Sequence, residues 1–284
     1  MSAVSAVVLT MGDRPAELAR AIASVRLQSG VETEVVLVVN GGEVDHQLAD
    51  VVVAPGTNLG IPGGRNAGAT AASSELLLFL DDDGELVGND VLATAVDRFQ
   101  QEQDLAAIGL RIVDEYGTSS RRHQPTLQGG VASRRDVTAF PGGGVIVSNA
   151  VFGAVGGLCD EFRYALEETD LAWRMIDCGY RVSFDPALAM AHPRTDIRRH
   201  PDAIRLTARN RVWLAHRNLP FILALLYVMN WTIVSAVRSR GRIDELKAHL
   251  SGTADGIRNR LGPRKPMRWR TVLTLARLGR PPLL

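Results

Sequence analysis

Cysteine is almost missing from the chain: 284 residues hold only Cys159 and Cys178, at no metal-type spacing. This excludes a disulfide framework and a zinc module. Before Asp13 there is no basic segment and no cleavage site of the secretory kind, so both thiols are expected to be reduced and buried in a cytosolic protein. Excess charge is missing too. The net charge of +1 gives the molecule as a whole no field for nucleic acid, and no nucleic-acid partner is expected. Internal repeats and low-complexity tracts are absent, so a repeat array is excluded as well.

The chain is long enough for one large α/β domain with an appended tail, and it carries short apolar runs alternating with helical patterns. Residues 4–10 are β-branched and apolar, the turn Met11-Gly12-Asp13-Arg14-Pro15 follows, and Leu18, Ile22 and Val25 then recur at helical spacing. Pro15 suits a first helical position, and Arg14 in the turn can reach a phosphate. Residues 34–40 read as a second buried strand ending in Asn40-Gly41-Gly42, and residues 50–54 as a third. Strands alternating with helices predict a parallel, doubly wound sheet.

Two acidic clusters carry the chemistry. Leu76-Leu77-Leu78-Phe79-Leu80 reads as a strand buried on both faces, and it runs directly into Asp81-Asp82-Asp83-Gly84. In open α/β sheets ligands bind at the carboxyl ends of strands, and three adjacent carboxylates repel one another unless a cation lies among them. A divalent metal is expected there. Just upstream, Asn58-Leu59-Gly60-Ile61-Pro62-Gly63-Gly64-Arg65-Asn66-Ala67-Gly68 reads as a glycine-rich approach to an alanine-rich helix. Its glycines would let backbone come close to a ligand, Arg65 supplies a cation and the helix amino end favours an anion, so a diphosphate fits. The glycine spacing is neither the dinucleotide fingerprint nor a P-loop.

The second cluster is Glu167-Glu168-Thr169-Asp170, the acidic first turn of a helix whose apolar face holds Leu171, Met175 and Ile176. First-turn acids also stabilise a helix dipole, so this cluster by itself has a purely structural explanation. Residues 179–185 add a turn and a strand, and His192 follows a strand end, placed to join a metal site. Between the clusters, residues 87–99 read as a helix and 106–113 as a strand. Residues 116–140 read as a polar, basic loop or ribbon over the site, with Arg121-Arg122-His123 and Arg134-Arg135. Pro141-Gly142-Gly143-Gly144 then marks another close approach of backbone.

Taken in order over residues 4–192, VVLTMGDRPAEL, NLGIPGGRNAG, FLDDDG, EETDLAWR and His192 resemble the inverting family 2 glycosyltransferases of the GT-A fold, of the rhamnosyl- and galactofuranosyl-transferring kind. The resemblance implies an α/β catalytic domain over residues 1–200. Its doubly wound, mostly parallel sheet would join a Rossmann-like nucleotide-binding half to an acceptor half. A helical, membrane-associating extension would follow at 201–284. It further implies a nucleotide-diphosphate sugar donor held by Thr10, Arg14, Asn40, Asn58, Gly60, Arg65, Asn66, Asp81 and Asp82. Asp83 and His192 would hold Mn²⁺ or Mg²⁺, ions suited to hard oxygen ligands and one imidazole. Glu168 would be the catalytic base, and Gly143, Gly144, Glu167 and Asp170 would meet a glycan or lipid-linked acceptor. Such transfer needs a base for the acceptor hydroxyl and a cation for the departing diphosphate, with inversion at the anomeric carbon.

The chain departs from many members at the end of its second strand, where Val39 stands in place of an acid that reads the nucleotide base. The resemblance therefore leaves the base unspecified, and it leaves open whether the chain forms a homo-oligomer. A sugar nucleotidyltransferase could share the sheet and the metal carboxylates but would have no use for Glu168. A non-catalytic, membrane-attached nucleotide-binding protein would fit if Asp83 or His192 pointed away from the pocket.

Toward the carboxyl end, residues 203–217 read as a helix with basic and apolar faces. Leu219 to Val237 follows, nineteen largely apolar residues interrupted by Asn230, Thr232 and Ser235, a length within the transmembrane range. Beyond it stand twelve basic residues against Asp244, Glu245 and Asp255. A span would set those cations against the positive-inside tendency. The expectation is a peripheral segment attracted to anionic lipid on the cytoplasmic face of the cell membrane, in the cell-envelope polysaccharide assembly that the resemblance implies.

Overall fold

The computed structural model describes residues 3–119, 132–194, 202–239 and 241–283. Arg121, Arg122 and His123 of the basic stretch, and Arg240 of the tail, lie outside the described residues. In chain order the elements are β1 (Ala3–Thr10), α1 (Pro15–Arg26), β2 (Glu32–Val39), β3 (Val51–Val53), α2 (Gly60–Ala71), β4 (Leu76–Asp81), β5 (Glu85–Val87) and α3 (Val91–Gln101). They continue with β6 (Leu105–Val113), β7 (Arg135–Asp136), β8 (Gly144–Ser148), α4 (Asn149–Ala154), α5 (Glu167–Asp177) and β9 (Arg181–Ala191). Four helices close the chain: α6 (Ala203–Asn218), α7 (Phe221–Ser239), α8 (Ile243–Arg258) and α9 (Trp269–Arg277).

The sheet runs β3-β2-β1-β4-β8-β6-β9-β5, with β7 on the side of β9. Its longer ladders, β1 with β2 and β4 and β6 with β9, are parallel, while β8 enters antiparallel between β4 and β6. Two antiparallel steps restore direction, so β9 points the same way as β4. Thr10, Asp81 and the residues after Ala191 therefore share one edge, the carboxyl edge expected for ligands.

Each face of the sheet has its own core. Alternate residues of the central strands, such as Ala6, Val8, Leu78 and Leu80, pack against Leu18, Ile22 and Val25 of α1 and Leu92 and Val96 of α3. The other set, including Val7, Leu77, Phe79 and Val145, packs against α2, α4 and α5. In that same core lie Leu214, Leu219, Tyr227, Met267 and Leu275 from the carboxyl-terminal helices. The chain on either side of residue 200 thus shares one apolar interior.

Several local expectations change. The glycine-rich segment is itself the helix α2, and its glycines serve packing: a Cβ at Gly64 would lie 2.4 Å from Leu9 Cδ1, and one at Gly68 would lie 2.3 Å from Val7 Cγ1. They bring the helix onto the sheet rather than onto a ligand. The helix expected from Val87 begins at Val91, because Glu85–Val87 pairs with Ala189–Ala191 as β5 and Gly88 turns the chain at φ +98°. The strand expected after the turn at Gly179 is β9, which runs to Ala191 and whose register shifts beside β6 between Asp185 and Ala189. Both cysteines are free as expected, but Cys178 is exposed and Cys159 half-buried.

Candidate active site

Asp81, Asp83 and His192 meet at the carboxyl edge, each offering one ligand atom, all within 4.8 Å of one another. His192 is anchored on β6 by its backbone N–H to the Val113 carbonyl (2.8 Å), and its Nδ1 lies 2.7 Å from the Pro193 carbonyl. An Nδ1–H donated there leaves Nε2 toward the acids, 3.1 Å from Asp83 and 3.7 Å from Asp81. Burial lowers the His192 pKa, but the hydrogen bond to Asp83 and the charges of Asp83 and Asp81 outweigh it and raise the pKa. Two carboxylates and one oriented imidazole form a donor set that fits Mn²⁺ or Mg²⁺.

The chain opposite these acids has no side chain because there is no room for one. A Cβ on Gly143 would come within 1.9 Å of Asp81 Oδ2, and one on Gly142 within 2.7 Å of Arg65 Nη1. Gly143 clears space for the Asp81 carboxylate, and Gly144, the first residue of β8, clears space for Met190 Sδ.

Asp82 turns inward. It is buried and accepts from Thr10 Oγ1 (2.7 Å), while Thr10 Oγ1 in turn accepts from Gly12 N–H (3.0 Å). Arg14 bridges Asp82 and Asp83. Burial raises the Asp82 pKa, opposed by the Thr10 hydrogen bond and the Arg14 charge. Thr10, Arg14 and Asp82 are expected on the donor; here they brace the acid edge from behind, and the guanidinium neutralises carboxylates rather than facing solvent. Asn40 is likewise turned in, accepting from Leu59 N–H (2.8 Å) and donating to Asn58 Oδ1 and the Gly60 carbonyl (each 3.1 Å). Asn66 faces the loop ahead of α5 and exchanges hydrogen bonds with the Leu158 backbone (2.8 and 2.9 Å). Asn58 is exposed at this edge and Gly60 half-buried beside it.

Arg65 links the two acidic clusters. It is 4 % exposed, donates to Asp81 Oδ1 at 2.9 Å and lies 3.6 Å from Glu167. Glu167 is 3 % exposed and adjoins the half-buried Glu168. Burial and the neighbouring Glu167 push the Glu168 pKa up to about 8, so the pair holds a proton near neutrality. Asp170 belongs elsewhere. It is fully buried and accepts from Arg174 (2.8 Å), Arg217 (3.1 Å) and Asn218 (2.7 Å), so it ties α5 to α6 and corrects the acceptor contact expected of it.

One residue of the site region has no signature in the sequence. The turn before α5 holds Arg163, Ala165 and Leu166 at φ +58°, +66° and +71°, unfavourable for side chains with a Cβ. Asn210 of α6, fully buried, donates through Nδ2 to the carbonyls of Phe162 (3.0 Å), Tyr164 (2.6 Å) and Ala165 (2.9 Å). An asparagine between two arginines of a helix reads as surface; only its burial against that turn reveals it.

The family model for glycosyl transferase family 2 matches residues 5–156, more than half of the chain. The chain belongs to glycosyl transferase family 2. Among solved structures, this family 2 chain is similar to S. aureus TarS (18 % identity, TM-score 0.57, over 81 % of this chain and 43 % of that one). It is also similar to GalNAc-T7 with UDP, GalNAc and Mn²⁺ (15 %, 0.63, 90 % and 57 %). A third likeness is to the mannosyltransferase PcManGT from Pyrobaculum calidifontis with GDP-Man and Mn²⁺ (15 %, 0.58, 96 % and 78 %). At such identities the likeness establishes the GT-A-like fold. The chain spans about half the length of the first two. No curated protein matches it. The family match ends at residue 156, so α5 with Glu168, and His192 after β9, lie outside it.

Proposed function

We propose that the chain is a metal-dependent, inverting glycosyltransferase. It would move a hexosyl, rhamnosyl or galactofuranosyl group from a nucleotide-diphosphate sugar to a glycan or lipid-linked acceptor, on the cytoplasmic face of the cell membrane in envelope polysaccharide synthesis. The observation that carries the reading is the ligand set Asp81, Asp83 and His192, joined through Arg65 to the proton-sharing pair Glu167 and Glu168. Asp83 and His192, with Asp81 beside them, would hold Mn²⁺ or Mg²⁺, which when bound supplies charge to a departing diphosphate. Glu168 in its ionised form takes the acceptor hydroxyl's proton. Burial raises the Glu167 pKa as well, and the Arg65 charge opposes that rise. Asn58 and Gly60 line the donor edge.

Membrane attachment is part of the reading. Support comes from α7, a helix long and apolar enough to cross a membrane by length and composition, of which only 11 % is buried. Its exposed Ile222, Leu225, Met229, Ile233 and Val237 recur at helical spacing along one side. The other side carries Tyr227, packed against Trp173 of α5. A helix held to the catalytic core on one side lies along a bilayer rather than through it, and the basic residues after it complement anionic lipid.

The test is binding of a panel of UDP-, GDP- and dTDP-sugars to the full chain by calorimetry with and without Mn²⁺. One donor should bind only with metal, and Asp83→Ala should remove that binding while the fold, read by circular dichroism, survives. No donor binding in the panel, or equal binding by Asp83→Ala, would overturn the reading.

A further inference from the structure

Next to the base, α6, α7, α8 and the chain after α9 gather basic groups that the transfer step leaves unused. Tyr227 of α7 is 3 % exposed, meets Trp173 of α5 edge-on (centroids 6.3 Å apart) and lies within electrostatic reach of Glu168. It is hydrogen-bonded to Arg211 of α6. Arg211 lies 3.7 Å over the Trp231 ring and Arg238 lies 5.7 Å from the same ring. Arg280 adds a third charge near Tyr227, and the buried His249 of α8 adjoins Arg211.

Other arginines of the same helices are paired: Arg205 with Asp202 and Asp255, Arg217 with Asp170, Arg242 with Glu245. Among the described residues no ion pair forms at Arg211, Arg238 or Arg280. Three buried nitrogens, Arg211 Nε, Trp231 Nε1 and His249 Nε2, have no hydrogen-bond partner. Desolvation lowers the Arg211 pKa, with Arg238 adding to it. A buried guanidinium with unpartnered nitrogens beside it, and with the exposed Arg238 and half-buried Arg280 at its margin, is a site for an anion.

We infer that this cluster binds the phosphate or diphosphate group of an amphiphilic acceptor and so presents the acceptor's hydroxyl to Glu168. The inference rests on the transferase reading and names its acceptor class. Guanidinium forks match phosphate oxygens, and an indole N–H adds a neutral donor. The exposed stripe of α7 lies on the side of that helix away from Tyr227 and Trp231, so a bilayer against it would run about 10 Å, one helix diameter, from the cations. That is within reach of a lipid's head. A neutral glycan would leave all three charges unmatched.

The test uses the full chain in neutral detergent and calorimetry with dodecyl phosphate, dodecanol and inorganic phosphate, and with vesicles of phosphatidylglycerol. Dodecyl phosphate should bind at least about tenfold tighter than dodecanol, and Arg211→Gln should remove most of that difference. Arg238→Gln and Arg280→Gln, at more open positions, should each weaken it severalfold and serve if the first variant fails to fold. Vesicle binding should change less than twofold in Arg211→Gln, whose Nε is buried, while the more open Arg238→Gln and Arg280→Gln should each lose no more than the roughly fivefold that one surface cation contributes. Equal affinity for dodecyl phosphate and dodecanol, unchanged affinity in the variants, or a loss confined to the vesicles would overturn the inference, the last by assigning the cations to bilayer phospholipid. Metal-dependent donor binding, measured on the same samples, reports separately on the transferase reading.

Discussion

Glu168 is half-buried beside a second carboxyl, and its protonation decides when it can act. With its pKa pushed up to about 8 by burial and by Glu167, only a minority is ionised at pH 7. The rate of transfer should therefore rise through pH 8 and flatten above it, measured as kcat/KM against pH under saturating metal. Glu168→Gln keeps shape but accepts no proton; turnover should fall about 10²–10⁴-fold with donor affinity nearly unchanged. Near-normal turnover would move the role to Glu167. The same shift acts on stability. Between the ordinary 4.5 and about 8, the folded chain holds a proton that the unfolded chain has lost, so stability falls as pH rises across that window. Glu168→Gln lacks this group, so its Tm advantage over the wild type should grow from pH 5 to pH 8 in thermal melts.

At the scale of elements, α6 decides where α5 begins. The left-handed turn at residues 163–166 persists because the two N–H donors of the Asn210 amide are shared among the carbonyls of Phe162, Tyr164 and Ala165. Asn210→Ala should cost about 1–3 kcal/mol in urea unfolding. It should also lower kcat while leaving metal-dependent donor binding within about twofold, since Asp81, Asp83 and His192 stand on other elements. Loss of donor binding in a folded variant would show that the turn supports the metal edge instead. Helix α2 is fixed by the opposite device, absence of side chains. Gly68→Ala would drive a methyl to 2.3 Å from Val7 Cγ1 and 2.8 Å from Val38 Cγ2, a cost of about 1–3 kcal/mol from overpacking.

Over the whole molecule, the carboxyl-terminal helices are part of the catalytic core and its outer surface together. Tyr227, Met267 and Leu275 are buried with Leu171 of α5, and Asp177 of α5 accepts from Arg268 N–H (2.9 Å) and Thr271 Oγ1 at the start of α9 (2.5 Å). Removal of the chain after Asn218 would open that core, so attachment is best tested by substitution. Ile222→Ser/Met229→Ser/Ile233→Ser, all on the exposed stripe, should leave the melt nearly unchanged and reduce flotation with anionic liposomes several-fold. Wild type should bind neutral liposomes less and be released by high salt, because surface attraction is worth about 1 kcal/mol per basic residue and is screened within about 10 Å at 0.1 M salt. Equal binding to neutral and anionic liposomes, or protease protection of the tail in sealed inverted vesicles, would count against a peripheral mode.

The amino-acid sequence by itself determined the alternation of buried strands and helices, the acids at the end of β4, the acidic turn opening α5 and the apolar length of α7. Each of these is written in a local pattern, a run or a period, that burial imposes on neighbouring residues. The partners of those acids are not local. Arg14 reaches Asp82 and Asp83 across 68 and 69 residues, and Arg65 reaches Glu167 only because β4 and α5 meet at one edge. Asp82 and Asp170 are expected to face the donor and the acceptor, yet burial against β1 and α6 turned both inward. Glycines 64, 68 and 143 read as openings toward a ligand, and the tertiary structure decided otherwise, because only the facing atoms of Leu9, Val7 and Asp81 reveal what a missing side chain makes room for.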